Sequence, residues 1–303
     1  MKRRGKRRLG RGKFSTFIAL LCFIAALFIA VDSEGVDEFL GELSAVESEF
    51  INENVYVHFI DVGQGSSTLI QNGTSGILID SGESNYSDEV IQYLQNCGIE
   101  TLDYVVATHP HSDHIGGMTA IFAEFEVGTI IMPELSSINT PTTQTYEKFI
   151  DYILENDLDV DYAQPYTEYD FCGDELLLIA PFEQDSNLNN MSVVSIFTSG
   201  DTRVLVSGDA EVEELATIDL TMDIDCDFGT MSHHGSSNGI YEPFLDAVDM
   251  EVAIISCGTD NSYGHPHSET ITYLEENEIE YYITCVVSTV IFEITDDAYS
   301  IYS

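Results

Sequence analysis

With 303 residues, 44% of them hydrophobic, the chain is long enough to bury one sizeable core, and a single catalytic domain is the economical reading. It carries 53 acidic against 10 basic residues, and 8 of those 10 fall within residues 1–13, so residues 14–303 hold a formal net charge of −51. That balance excludes the basic groove by which nucleic-acid binders ordinarily grip a phosphate backbone, and one long apolar run is too little for a multi-span channel.

Residues 1–13 read as a basic cytoplasmic tail, followed by 18 residues, 14–31, without a charge. As a helix rising about 1.5 Å per residue this run would cover roughly 27 Å, close to the roughly 30 Å hydrocarbon core, so one N-terminal transmembrane helix is expected. The basic flank stays cytoplasmic by the positive-inside rule, which predicts a single-pass protein of the cell membrane with an extracytoplasmic C-terminal domain. Val31-Asp32-Ser33 is a poor small-residue cleavage site, and its use would make the product secreted. Residues 32–53 form an acidic linker and 54–303 the folded domain.

Short β-like runs at 55–60, 67–71 and 76–80, with Gly-rich punctuation, open that domain. A helix at 90–97 ends at Gly98, and a strand at 104–107 leads into the first histidine cluster. Helices at 118–125 and 144–154 flank a strand at 129–132. Strands are predicted at 175–180, 192–198 and 203–207, then a helix at 211–218, a strand at 225–230, a helix at 242–248 and a strand at 252–256. A helix at 270–276 and strands at 280–284 and 289–294 complete the pattern, a mixture of β and α that fits two sheets flanked by helices.

Seven of the eight histidines sit in three clusters: His109, His111 and His114; His233 and His234; His265 and His267. The first packs three imidazoles and Asp113 into six residues right after an apolar run, so a loop leaving a strand end aims several ligands at one point. Imidazole with carboxylate suits zinc, with manganese or iron as alternatives. Cys97, Cys172, Cys226, Cys257 and Cys285 lie outside the apolar segment that holds Cys22, and none forms a C-x-x-C pair. They read as small reduced hydrophobes rather than ligands.

His109-Pro-His111-Ser-Asp113-His114-Ile-Gly116-Gly117 resembles the signature of the metallo-β-lactamase-fold hydrolase superfamily. Phe59-Ile-Asp61-Val-Gly63-Gln64-Gly65 and the run from His233 through Asn261-Ser-Tyr263-Gly264-His265-Pro266-His267 are similar to the extracytoplasmic hydrolase domain of the ComEC/Rec2 DNA-uptake proteins and its free-standing relatives. The resemblance implies an α/β (α+β) fold, a four-layer αββα sandwich, over 54–303. It implies two divalent ions: His109 and His111 on one, Asp113 and His114 on the other, Asp209 bridging both, and the last ligand from the HHGS turn, His234 or alternatively His233. The other imidazole of that turn would face the substrate.

Asp113, His233 and His265 are accordingly the candidate catalytic residues, with Tyr263 beside His265 as a further donor to an oxyanion or leaving group. The implied activity is a membrane-tethered, metal-dependent hydrolase acting on a phosphoester through a metal-bound hydroxide. Its substrate would be a small phosphoester or a nucleic acid, and no protein partner is inferable. The alternative is a noncatalytic metal-binding surface module of the same fold. True β-lactam hydrolysis fits less well.

The chain departs from the family pattern in having no histidine at 115–232, where many members place another ligand. Asn190 is the local substitute, which implies a weaker first metal site. Ser66 follows Gly-Gln-Gly where the branch often has Asp, and Thr284-Cys285 replaces a late Thr-Asp. His58 reads as a packed histidine on a strand, and Asp61 and Gln64 as groups that hydrogen-bond a ligating histidine.

Overall fold

In the computed structural model, which describes residues 54–295 and 298–303, apolar side chains on alternate faces divide each central strand between two cores. The strands in chain order are β1 (Val55–Phe59), β2 (Thr68–Asn72), β3 (Ser75–Ile79), β4 (Thr101–Val106), β5 (Glu126–Met132), β6 (Asp159–Tyr162), β7 (Glu168–Phe171) and β8 (Asp174–Ala180). There follow β9 (Val194–Ser199), β10 (Thr202–Val206), β11 (Phe228–Thr230), β12 (Val252–Ile255), β13 (Glu280–Ile283), β14 (Val290–Thr295) and β15 (Ala298–Tyr302). Ile70 of β2 and Ile77 and Ile79 of β3 face the middle of the molecule, while Leu69 and Leu78 face outward to helices. Strands buried on both faces read in sequence as continuous apolar runs.

One sheet has eight strands in the order β15-β14-β1-β2-β3-β4-β5-β6, the other seven in the order β13-β12-β11-β10-β9-β8-β7. They meet across a core that includes Phe59, Phe197, Phe228 and Phe292. The Phe228 and Phe292 rings, one from each sheet, stack with centroids 3.7 Å apart and planes 10° apart.

Three helices, α1 (Ser87–Asn96), α2 (Met118–Glu124) and α3 (Gln144–Glu155), cover the outer face of the first sheet through Val90, Leu94, Met118, Ile121, Phe149 and Ile153. Thr143 caps α3 by accepting the Tyr146 N–H at 3.3 Å. On the far side, α4 (Glu242–Val248) and α5 (Ser268–Glu276) bury Phe244, Leu245, Val248 and Leu274 against Ile196, Leu205 and Ala253. The result is helix, sheet, sheet and helix, the sandwich that the family resemblance implies.

Differences from the sequence reading fall at the periphery. Of the strands not predicted, β6 and β15 are the edges of the first sheet and β7 is an edge of the second. β6 exposes Asp159 and Asp161, so it lacks the apolar alternation of a half-buried strand, and charges on an edge discourage further pairing. The predicted helix at 211–218 shortens to Val212–Leu215, and the strand predicted at 225–230 begins only at Phe228.

The membrane-spanning expectation is corrected. Among the described residues no helix is long and apolar enough to cross a membrane. The longest, α3, has 12 residues and so covers about 18 Å of a roughly 30 Å hydrocarbon core. The basic tail, the run at 14–31 and the linker at 32–53 lie outside the described residues. Among the described residues the fold is the sandwich without a transmembrane helix, and no helix of theirs supports the tether, the membrane partner or the extracellular, single-pass placement.

Candidate metal centre

Parallel strands bring their C-terminal ends to one edge, and the polar residues collect there. β3 pairs parallel with β4, and β10, β11 and β12 run parallel to one another. Loops leaving such ends share a crevice. Asp80 follows β3 with a φ of 59°. Its buried carboxylate accepts the Thr108 N–H at 2.9 Å and the Thr108 hydroxyl at 2.7 Å, and lies 2.6 Å from His114 Nδ1. Asp80 thereby pins the exit of β4, which carries His109, His111 and a single helical turn, Ser112–Ile115, with Asp113 and His114.

After β10 the chain turns at Gly208, whose φ is 52°, where a Cβ would lie 2.9 Å from Thr108 Cβ. Only glycine fits that approach without strain. The turn delivers Asp209, whose N–H donates to Ser192 Oγ at 3.1 Å. After β11, His233 and His234 both adopt left-handed backbone, with φ of 52° and 56°. Two consecutive non-glycine residues in that region store strain, which the surrounding contacts hold. His233 N–H donates to Gly208 O at 3.0 Å, and His234 Nδ1–H donates to Ser256 O, just past β12, at 2.8 Å.

Two groups of donors result: Asp113, His114, Asp209 and His234; and His109, His111 and Asp209. In each, the donor atoms lie within 4.8 Å of one another, and Asp209 belongs to both. His234 Nε2 is 3.2 Å from Asp113 Oδ2 and 3.5 Å from Asp209 Oδ2. His114 Nε2 is 3.2 Å from Asp209 Oδ1 and 3.9 Å from Asp113 Oδ2. His109 Nε2 is 3.6 Å from Asp209 Oδ2 and 2.9 Å from His111 Nδ1.

Asp80 and Ser256 occupy the Nδ1 atoms of His114 and His234, which turns both Nε2 atoms inward, the orientation metal-ligating imidazoles take from an outer partner. His114 Nε2 and Asp209 Oδ1 are buried and face each other at 3.2 Å without a well-formed hydrogen bond, and neither makes any other. Orphaned buried polar atoms are costly, and a shared cation resolves the cost. The arrangement thus fits two divalent ions bridged by one carboxylate.

The electrostatics agree. Burial alone would raise the Asp209 carboxyl, but His114, His234 and His109 outweigh it and hold the group well below the usual carboxylate range. For His114 burial acts downward, and Asp209, Asp80 and Asp113 overcome it, holding the imidazole well above its ordinary value. His234 is raised in the same way against burial, chiefly by Asp209 and Asp113. His109, fully buried and beside His114, is lowered well below its ordinary value. A cation held here would take over from the imidazolium protons the charge that balances these carboxylates.

The structure brings together His109, His111, Asp113, His114, Asp209 and His234. His233 stands slightly apart, its Nε2 3.8 Å from Asp209 Oδ2 and its Nδ1 3.2 Å from Glu211 Oε1. His265 joins neither group. It stacks over His234 with centroids 6.0 Å apart and under the exposed Tyr263 at 5.6 Å, and burial, then His234 and His233, push it down to about 4. His267 accepts the Ser237 N–H at 3.0 Å and is structural.

Asn190 does not replace the missing histidine. Its amide nitrogen donates to Asp185 at 3.1 Å and its oxygen accepts the Glu211 N–H at 3.2 Å. Asp61 and Gln64 likewise touch no ligating histidine: Asp61 accepts Gly63 N–H in its own turn, and Gln64 accepts Gly258 N–H. The groups that do support ligands, Asp80 and Ser256, were missed. The only signal for Asp80 was a carboxylate ending an apolar run, and for Ser256, whose backbone carbonyl does the work, there was none.

Residues 60–259 match the family model described as Metallo-beta-lactamase superfamily. ComE operon protein 3 of Bacillus subtilis is 27% identical over 245 residues, covering 74% of this chain and 31% of that protein. Recombination protein 2 of Haemophilus influenzae is 29% identical over 217 residues, covering 70% of this chain and 25% of that protein. The chain therefore spans about a third or less of the length of these curated relatives. The solved metallo-beta-lactamase fold protein YhfI from Bacillus subtilis superposes with a TM-score of 0.53 at 13% identity, covering 79% of this chain and 100% of that one, a likeness of fold.

Proposed function

The chain belongs to the metallo-β-lactamase superfamily, and from that premise we propose that its metal-dependent hydrolase site cleaves phosphoesters, small phosphodiesters above all. The observation that carries the reading is Asp209, a single carboxylate common to two donor groups. Divalent ions bound there would supply Lewis acidity and an acidified water, which suits hydrolysis without a protein nucleophile. The imidazole and carboxylate donors favour zinc, with manganese or iron as the alternatives. The group of His109 and His111 has one donor fewer than the other and no help from Asn190, so it is the weaker site.

In this reading Asp209 orders both groups, while Asp80 and Ser256 hold His114 and His234 in the ligating tautomer. Asp113 closes the tighter group and orients the attacking water. His233, turned by its left-handed backbone towards Asp209, and His265, stacked between His234 and Tyr263, donate hydrogen bonds to the substrate. The catalytic unit is residues 54–303.

A cavity of about 600 Å³ beside the centre supports small substrates. Asp61, Glu83, Asp113, Tyr86 and Tyr263 are among its lining residues, and no Lys or Arg is. Beyond residue 13 the sequence has only Lys148 and Arg203, and Arg203 Nη1 lies 3.2 Å from Asp225. Likeness to Recombination protein 2 favours DNA as a second reading of the substrate.

Turnover of bis(p-nitrophenyl) phosphate by metal-loaded protein, far above that of the β-lactam nitrocefin and abolished by chelator, is the expected result. Metal binding without turnover of any phosphoester would instead identify a noncatalytic module. Less than half an ion per chain after dialysis against several metals would overturn the hydrolase reading.

A further inference from the structure

Cys257 and Cys285 lie 28 residues apart in sequence, yet their Sγ atoms are 4.0 Å apart. The reason is register. Ile255 of β12 and Ile283 of β13 are the last pair of the parallel ladder, and each cysteine follows its strand by two residues, Cys285 within the helical turn Thr284–Val287. Neighbouring strands run about 4.8 Å apart. A disulfide bond is about 2.05 Å long, so closure brings the two Sγ atoms together by about 2 Å through rotation of the side chains. The Cys257 N–H also donates to Thr284 Oγ1 at 3.3 Å, which ties the two segments together.

The pair adjoins the metal centre. Cys285 is partly exposed and lines the cavity that Asp113 also lines, whereas Cys257 is buried behind it. Ser256, immediately before Cys257, is the residue whose carbonyl holds His234. Gly258, immediately after, donates to Gln64 at 3.2 Å and accepts from Asn261, whose side-chain nitrogen also bonds the His265 carbonyl. A shift of Cys257 therefore reaches both His234 and the loop that carries His265.

We infer that Cys257 and Cys285 form a dithiol site that closes into a disulfide by exchange with a small disulfide oxidant, and that closure weakens metal binding by the group containing His234. The Cys285 thiolate attacks one sulfur of the oxidant, whose S–S bond breaks and releases the first small thiol. The Cys257 thiol then loses its proton and attacks Cys285 Sγ, releasing the second. Two protein thiols are oxidised by two electrons, and the oxidant is reduced to two thiols. Burial pushes the Cys257 thiol up to about 12, so the exposed partner is the entry sulfur. The second half of the inference rests on the metal-site reading but not on any substrate.

The full chain, loaded with zinc, is treated with oxidised glutathione and then digested without reductant. A peptide joining Cys257 to Cys285, with zinc affinity about tenfold weaker by competition with a chromophoric chelator and restored by dithiothreitol, is expected. Cys285→Ser and Cys257→Ser should each keep their zinc affinity under the oxidant. Failure of the joined peptide to form when the exposed Cys172 is already oxidised overturns the site. A joined peptide with zinc affinity changed less than about twofold overturns the coupling. Neither readout uses turnover, so a failed phosphoesterase assay leaves both intact.

Discussion

Asp209 sits in both donor groups, so its removal should differ in kind from removal of any single imidazole. Asp209→Ala is expected to lose both ions after dialysis, while His109→Ala keeps the ion held by Asp113, His114 and His234; elemental analysis distinguishes them. Asp80 touches no ion position but fixes His114, so Asp80→Asn should weaken metal binding by about ten- to a hundredfold, read by chelator competition. His58 gives a pH prediction away from the centre. Buried with Nδ1 2.9 Å from Tyr93 Oη, it is pushed down by burial from 6.5 to about 4. Between those values the unfolded chain binds a proton that the folded chain refuses. Its contribution is thus complete above 6.5 and is lost as pH falls, by about 3 kcal/mol once below 4. His58→Phe should flatten the acid limb of the stability profile by that amount in denaturant unfolding at about pH 7.5 and about pH 3.5.

At the scale of elements, the two sheets hold the centre between them, because its ligands come from both. His109, His111, Asp113 and His114 follow β4 of one sheet; Asp209 and His234 follow β10 and β11 of the other. Packing between the sheets therefore sets the ligand geometry. The stacked pair Phe228 and Phe292 is central to it. Phe292→Ala is expected to cost about 3–5 kcal/mol in denaturant unfolding and to loosen metal binding as the sheets lose register. An unchanged metal affinity in a folded variant would show that the loops alone hold the site.

For the molecule as a whole, charge is the dominant property. A net −51 over residues 14–303 repels itself and any polyanion over about 30 Å at 0.01 M salt and about 3 Å at 1 M. Thermal stability should rise steadily across that range, measured by unfolding at fixed pH. Turnover of duplex DNA, if it occurs, should climb steeply from low to moderate salt, whereas that of a small phosphodiester stays within about twofold. Parallel salt series on both substrates check it, and equal salt dependence would remove charge repulsion as the selector.

The sequence alone carried the donor types and their spacing, because a strand end followed by H-x-H-x-D-H concentrates ligands within one short loop, and local chemistry of that kind needs no tertiary knowledge. It also carried the central strands, whose apolar runs record burial on both faces. The edge strands β6 and β7 were invisible because an element with little burial leaves little pattern, while β15 was not predicted although it buries Ala298 and Tyr299. Asp80, Ser256 and the meeting of Cys257 with Cys285 depend on contacts between residues 22 to 34 positions apart, set by parallel register and loop direction. Asn190 shows the converse: a side chain of suitable type at a suitable place in the sequence, committed by the fold to Asp185 and Glu211. Residue type states what a side chain is able to bind; only the packed chain decides which partner has already taken it.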